Sequence, residues 1–236
     1  MLEICHYKYK KIEVFQFFQK SYCSFIYLIK NRANNLACII DADLDGLESY
    51  LEFISKNSLK LILALDTHIH SDHISALKKL RKENIETLMG NSPETRGIAS
   101  KVVEDGDFFD FGEIKIKALH TPGHTSNSYC FLTEGLLFTG DTLLINSTGR
   151  TDLHTGSASQ LYQSLHTKIL SLKNDTIVFP AHDYNLMKFS TLFKEKQNNP
   201  RLNKTKEEFV NLMDNLKLSL PKKFKEASTN SIPYEN

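Results

Sequence analysis

The chain has 236 residues, of which 41% are hydrophobic, and carries 29 Lys and Arg against 28 Asp and Glu. That length fits one large or two small domains with a sizeable core, and a formal net charge of +1 supplies no global field to draw nucleic acid or anionic lipid. The four cysteines (Cys5, Cys23, Cys38 and Cys130) show no CxxC spacing, which argues against disulfides and structural zinc and for a reducing compartment.

The N-terminal region does not read as a signal peptide, because Glu3, Lys8, Lys10, Lys11 and Glu13 interrupt any apolar stretch. It is not Arg- and Ser-rich either, so a cytoplasmic protein is the simplest reading. The basic runs 7–11 and 222–225 read as solvated faces. Three β-like runs follow: Val14 to Phe18, Phe25 to Ile29 and Ala37 to Asp41, each rich in aromatic or β-branched residues. The second of these stops at Lys30, well short of the roughly 18 apolar residues of a membrane span. Leu47, Leu51 and Ile54 give helical spacing over 47–57. Leu61 to Leu65 reads as a buried strand, Ile74 to Lys82 as a helix, and Asn84 to Met89 as a strand leading to a loop at Pro93. Ile114 to Leu119 alternates apolar and polar residues as a half-buried strand does. Ser128 to Thr133 and Leu136 to Phe138 form a hairpin about Glu134-Gly135. Ala158 to Leu172 is helical, Thr176 to Phe179 is a strand, and from about Lys188 the chain turns polar and helical. Periodicity alone supports a mixed α/β or α+β domain. The two successive groups of strands and helices suggest two sheets face to face with helices outside.

The most informative stretch is Thr67-His68-Ile69-His70-Ser71-Asp72-His73, directly after the strand at Leu61 to Leu65. Adjacent imidazoles are costly in an ordinary core, since each buried one needs a partner. Clustered with a carboxylate at a strand end they point to a metal site. Three further strand-end segments have the same character: His120-Thr121-Pro122-Gly123-His124, Thr139-Gly140-Asp141 and Phe179-Pro180-Ala181-His182-Asp183-Tyr184.

This order of motifs resembles the metallo-β-lactamase superfamily over about residues 12 to 185. Within it, Gly149-Arg150-Thr151-Asp152, Asn199-Pro200-Arg201-Leu202, Glu207-Glu208-Phe209-Val210 and Met213-Asp214-Asn215-Leu216 make the chain similar to the persulfide dioxygenases (the ethylmalonic encephalopathy protein family). The resemblance implies one metallo-β-lactamase-like domain over 1–236, with a helical extension over 186–236. The implied fold is the four-layer αβ/βα sandwich of two mixed β-sheets flanked by helices. It implies a single Fe(II) held by His68, His124 and Asp141, a facial triad that leaves coordination positions open. His70, Asp72, His73 and His182 would then orient ligands and hydrogen-bond water or substrate, or hold a second metal. The implied reaction turns glutathione persulfide, O2 and water into sulfite and glutathione. Arg150, Tyr184 and Arg201 are assigned to the glutathione moiety, whose two carboxylates suit the arginine fork. Asp152 is read as locking the Arg150 loop. The family often carries Arg and Cys where Asn146 and Thr148 stand here, which bears on substrate affinity and redox sensitivity. A homodimer is compatible with the resemblance, although no exposed apolar stripe demands one.

His120, His154 and His166 match no ligand position and read as packing or surface residues, and His6 reads as solvent-exposed in an unplaced N-terminal extension. The first rival is a glyoxalase II-like hydroxyacylglutathione thioesterase with two zinc or mixed metals. The short stretch after Tyr184 argues against it, since such enzymes carry a longer helical C-terminal domain. A non-enzymatic metal or thiol sensor would suit a degenerate ligand set, and none of these positions is degenerate. A secreted lactamase fits neither the charge balance nor the N-terminus.

Overall fold

The computed structural model describes residues 3–153, 155–183 and 187–221. Two β-sheets pack face to face between two outer layers of helices. The first sheet has seven strands in sequence order: β1 (Glu3–Tyr9), β2 (Ile12–Gln19), β3 (Ser24–Asn31), β4 (Leu36–Ile40), β5 (Lys60–Leu65), β6 (Glu86–Gly90) and β7 (Lys101–Val103). β1 to β4 are antiparallel, and β4 to β7 are parallel. Helices α1 (Leu47–Lys56) and α2 (Leu77–Lys82) make the crossovers that parallel neighbours require. The second sheet runs β13-β12-β11-β10-β9-β8, with β8 (Phe108–Phe111), β9 (Ile114–His120), β10 (Tyr129–Thr133), β11 (Leu136–Gly140), β12 (Ile177–Pro180) and β13 (Ser190–Thr191). Its one parallel pair is β11 with β12, spanned by α3 (Ala158–Ser164). Two C-terminal helices, α4 (Leu192–Asn198) and α5 (Lys206–Asp214), join α3 on the outer face.

The period of two along each strand sorts side chains between layers. On β3, Phe25, Tyr27 and Ile29 point between the sheets, where they meet Ile116, Phe131, Phe138 and Phe179. Ile26 and Leu28 point the other way, onto Leu47, Tyr50, Leu77 and Leu80 of the first helical layer. Covered on both faces, β3 reads as an almost continuous apolar run. Leu119, Cys130, Leu137 and Val178 back onto Leu161, Leu192, Phe209 and Met213 of the second helical layer. The polar C-terminal region is therefore amphipathic, and its apolar side closes the outer core.

Several elements differ from the sequence reading. The N-terminal extension is strand β1, paired along its whole length with β2. His6 is solvent-exposed there, as read from the sequence, stacked on Phe15 at 4.4 Å and 2.7 Å from Glu13. Helix α2 starts at Leu77, not Ile74, because the backbone before it is spent on Ala42 and Leu44: Ala76 N–H donates to Ala42 at 2.8 Å and Leu44 N–H to Ile74 at 2.8 Å. The helix from Ala158 keeps its α form to Ser164 and then widens into a π turn, Leu165–Ile169. The short edge strands β7, β8 and β13 carry too few residues to stand out by pattern. The basic run 222–225 lies outside the described residues. No helix among the described residues is long and apolar enough to cross a membrane.

Phe138 sits at the centre of the sheet interface, 1% exposed, with its ring 5.0 Å from Tyr27 and 5.4 Å from Phe179. Phe138→Ala should lower stability by about 3–5 kcal/mol, read as a shift in the denaturant midpoint. A loss under about 1 kcal/mol would mean the two sheets are not packed here as described.

Candidate metal centre

Parallel neighbours end on the same side of a sheet. β4 and β5 end together, and so do β11 and β12, so Asp41, the segment 67–73, Asp141 and His182 emerge along one rim where the sheets meet. Backbone bonds stitch this rim: Tyr129 N–H donates to Thr67 at 2.7 Å, Phe25 N–H to Ala181 at 2.7 Å and Ala181 N–H to Gly140 at 3.0 Å. Two glycines make the approach possible. Gly123 has φ +143°, and a Cβ there would lie 2.3 Å from the Leu161 backbone. Gly140 has φ +51°, and a Cβ there would lie 2.4 Å from Thr67 Oγ1. Both positions are barred to other residues by conformation and by space.

Thr67 organises the first candidate ligand. Its hydroxyl lies 2.8 and 3.0 Å from the two Asp41 oxygens and 2.9 Å from His68 Nδ1. A hydroxyl that donates to a carboxylate accepts from the Nδ1–H of His68, which leaves Nε2 with its lone pair. His124 is set the same way, by donation from Nδ1 to the Arg150 carbonyl at 2.7 Å. Its Nε2 then sits 3.5 Å from Asp141 Oδ2. One donor atom each from His68, His124 and Asp141 falls within 4.8 Å of the other two. Burial, with His70 and His124 nearby, holds the His68 pKa well below the usual imidazole value, so the ring is neutral and able to coordinate. Asp141 Oδ1 is buried with no hydrogen-bond partner among the described residues. Such an atom costs about 1–3 kcal/mol unless something satisfies it. Two imidazoles and a carboxylate, with an oxygen left over, fit a divalent cation.

A second group adjoins the first. His70, Asp72 and His73 also bring donor atoms within 4.8 Å of one another, and His70 Nδ1 and His73 Nε2 are buried with no hydrogen-bond partner among the described residues. His182 donates from Nδ1 to the Cys23 carbonyl at 3.1 Å and turns Nε2 toward Asp72 at 3.6 Å and Asp141 at 3.7 Å. Burial opposes a charge on His182, but Asp141 and Asp72 outweigh it and raise the pKa. Burial likewise opposes the Asp72 carboxylate, and His73 and His182 hold it ionised. Behind both groups, His70 Nε2 lies 3.3 Å from Asp41. Asp41, its hydrogen bond and Asp66 overcome burial and push His70 up to about 10. Fully buried Asp66 is itself pushed up to about 6 by burial, against the pull of His70. From sequence alone Asp41 is a strand end, and Thr67 and Asp66 carry no role. The available signal was a carboxylate closing one strand and a hydroxyl closing its parallel neighbour.

A cavity of about 570 Å³ opens over the first group, walled by Tyr22, Cys23, Thr148, Arg150, Arg201 and Leu220. Arg150 is heavily engaged: Nε and Nη2 donate to Asp152 at 2.7 Å each, as the sequence reading placed Asp152. Arg201 donates from Nη1 to the Thr148 carbonyl and hydroxyl, both at 2.9 Å, and has no carboxylate partner among the described residues. The Thr148 position thus bears directly on Arg201. Tyr184 and His154 lie outside the described residues. His120 accepts no ligand role; it is 2.8 Å from the Ser126 carbonyl, and its ring packs on Tyr129. His166 stacks on Tyr162 at 4.0 Å.

The family model described as "Metallo-beta-lactamase superfamily" matches residues 25–182. The human mitochondrial persulfide dioxygenase ETHE1 is 37% identical over 214 residues, which span 87% of this chain and 82% of the relative. The crystal structure of ETHE1 from Myxococcus xanthus superposes with a TM-score of 0.88 at 36% identity, over 93% of this chain and 98% of that one. A hydroxyacylglutathione hydrolase from Francisella philomiragia is 38% identical over a shorter part, 71% of this chain and 66% of the relative.

Thr67→Val keeps the shape and removes the hydroxyl between Asp41 and His68. It should lower metal affinity about 10–100-fold, measured by competition with a chelator. Affinity equal to the wild type would mean that His68 needs no orienting bond.

Proposed function

The chain belongs to the metallo-beta-lactamase superfamily, within its persulfide dioxygenase group, and from that membership and the rim geometry we propose that it oxidises glutathione persulfide to sulfite. Glutathione persulfide, O2 and water give glutathione, sulfite and two protons. The observation that carries the reading is the compact set of His68, His124 and Asp141 at the floor of an open cavity.

Those three residues would hold one Fe(II). Bound there, the ion would supply redox chemistry with dioxygen at coordination positions the protein leaves open. The remaining work falls to the chain. Thr67 and the Arg150 carbonyl keep both imidazole Nε2 atoms aimed at one point, which limits reorganisation when reactants are held side by side. His182, whose Nε2 faces Asp72 and Asp141 at the cavity wall, would orient a proton or a hydrogen bond there. Arg201, at the cavity wall with no carboxylate partner among the described residues, would take a glutathione carboxylate through its fork, and Tyr184 is proposed as a neighbouring hydroxyl. The four cysteines are free thiols, which supports a reducing compartment and, in this reading, the cytoplasm.

The second group of donors favours one alternative. If His70, Asp72, His73 and His182 hold a second ion, the same cavity suits a hydroxyacylglutathione thioesterase, in which a hydroxide shared by two metals attacks a carbonyl.

Metal analysis and substrate separate the two. Iron-loaded protein, prepared anaerobically, should consume oxygen on addition of glutathione persulfide and release sulfite, with close to one iron per chain. Absence of uptake by iron-replete protein, with S-lactoylglutathione hydrolysed instead, would transfer the assignment to the thioesterase. His124→Ala removes one of three protein ligands and should abolish iron retention; normal iron content in that variant would refute the ligand set.

A further inference from the structure

The Arg150 guanidinium makes two further bonds besides those to Asp152. Nη1 donates to the Ser219 carbonyl at 2.6 Å and Nη2 to the Leu218 carbonyl at 3.3 Å. Four bonds occupy three of its nitrogens, and its side chain is only 14% exposed. The bonded backbone belongs to a stretch that follows α5 and has no helix or strand of its own. Yet Leu218, Ser219, Leu220 and Pro221 line the same cavity as His68 and Asp141. Leu218 and Leu220 are 48% and 61% exposed, so little apolar packing holds this stretch down. It is kept at the rim by a charge-assisted fork, the stronger kind of hydrogen bond.

We propose that Arg150 is a positioning residue, not a carboxylate anchor. Its guanidinium, braced by Asp152, clasps residues 218–221 against the mouth of the cavity, and this strap forms the apolar wall that faces the thiol carrier of the persulfide. Arg201 is then the cation left for the carrier's carboxylate. Arg150 and the metal set are coupled through one residue: its carbonyl orients His124 while its side chain orients the strap. The clasp is a matter of geometry, and its role in carrier selection rests on the persulfide reading.

The experiment is limited trypsin digestion of the full-length, metal-loaded protein, with cleavage after exposed Lys217 followed by mass spectrometry. Local release sets the rate of such cleavage when reclosing is fast. Arg150→Ala should speed cleavage at Lys217 by about tenfold, the factor that corresponds to about 1.4 kcal/mol, with other sites unchanged. Arg150→Lys, which keeps the charge and loses the fork, should behave like Arg150→Ala. No acceleration, or equal acceleration at sites across the chain, overturns the clasp. In turnover assays, Leu220→Ala should raise KM for glutathione persulfide in the wild-type background and add less than about twofold in the Arg150→Ala background, because coupled residues are non-additive. Additive effects on KM would return Arg150 to direct carrier contact. If the wild type shows no persulfide turnover, the functional reading fails and the digestion alone still decides the clasp.

Discussion

Everything at the rim depends on the Thr67 hydroxyl. It holds the Asp41 carboxylate at the end of β4, fixes the tautomer of His68, and packs against a glycine at the end of β11. The Thr67 carbonyl accepts the Tyr129 amide from the second sheet. One residue therefore joins two strands of one sheet, one ligand, and the facing sheet. The reason is the cost of burying imidazoles: His68, His70 and His73 are each under 5% exposed, and each hydrogen bond that fixes a ring nitrogen lowers that cost. Asp41 serves two of them, through Thr67 for His68 and directly for His70.

The sandwich architecture follows from simple chemistry. Strands covered on both faces alternate their large residues between two cores, so the inner core fills with aromatics while the outer faces take Leu and Ile from helices. Parallel pairing at β4-β5 and β11-β12 then sends the chain ends to one side. The candidate ligands need no dedicated scaffold; the segment after β5 and Asp141 after β11 sit where parallel crossovers begin at the carboxyl ends of strands, and His124 sits in the connection between antiparallel β9 and β10.

Much of this was legible in the residues. The runs at Val14, Phe25, Ala37, Leu61 and Ile114 are strands because their apolar residues are contiguous or alternate, and Leu47, Leu51 and Ile54 are helical by spacing. The segments that meet at the rim were legible as candidates because His and Asp at strand ends have few other uses. What escaped was set by tertiary context. β1 alternates polar and apolar residues too weakly to announce itself, yet its whole length pairs with β2. α2 loses its first turn to backbone bonds with Ala42 and Leu44, which no local propensity encodes. Asp66 and Thr67 carry no metal signature, and their roles exist only once β4 and β5 lie side by side. The pairing of Arg150 with Asp152 was legible, but its bonds to Leu218 and Ser219 were not, since those carbonyls lie near the far end of the chain.

The stitched seam has a kinetic side. His68 and Asp141 belong to different sheets, and the contacts between them close loops of long sequence separation, which places their meeting late in folding. An ion gripped across the seam binds only the docked state. Interactions that form after the folding transition state leave the folding rate nearly unchanged and slow unfolding. Loading such a rim would therefore lengthen the lifetime of the folded chain more than it hastens its formation, making the ion a late latch on a structure already assembled.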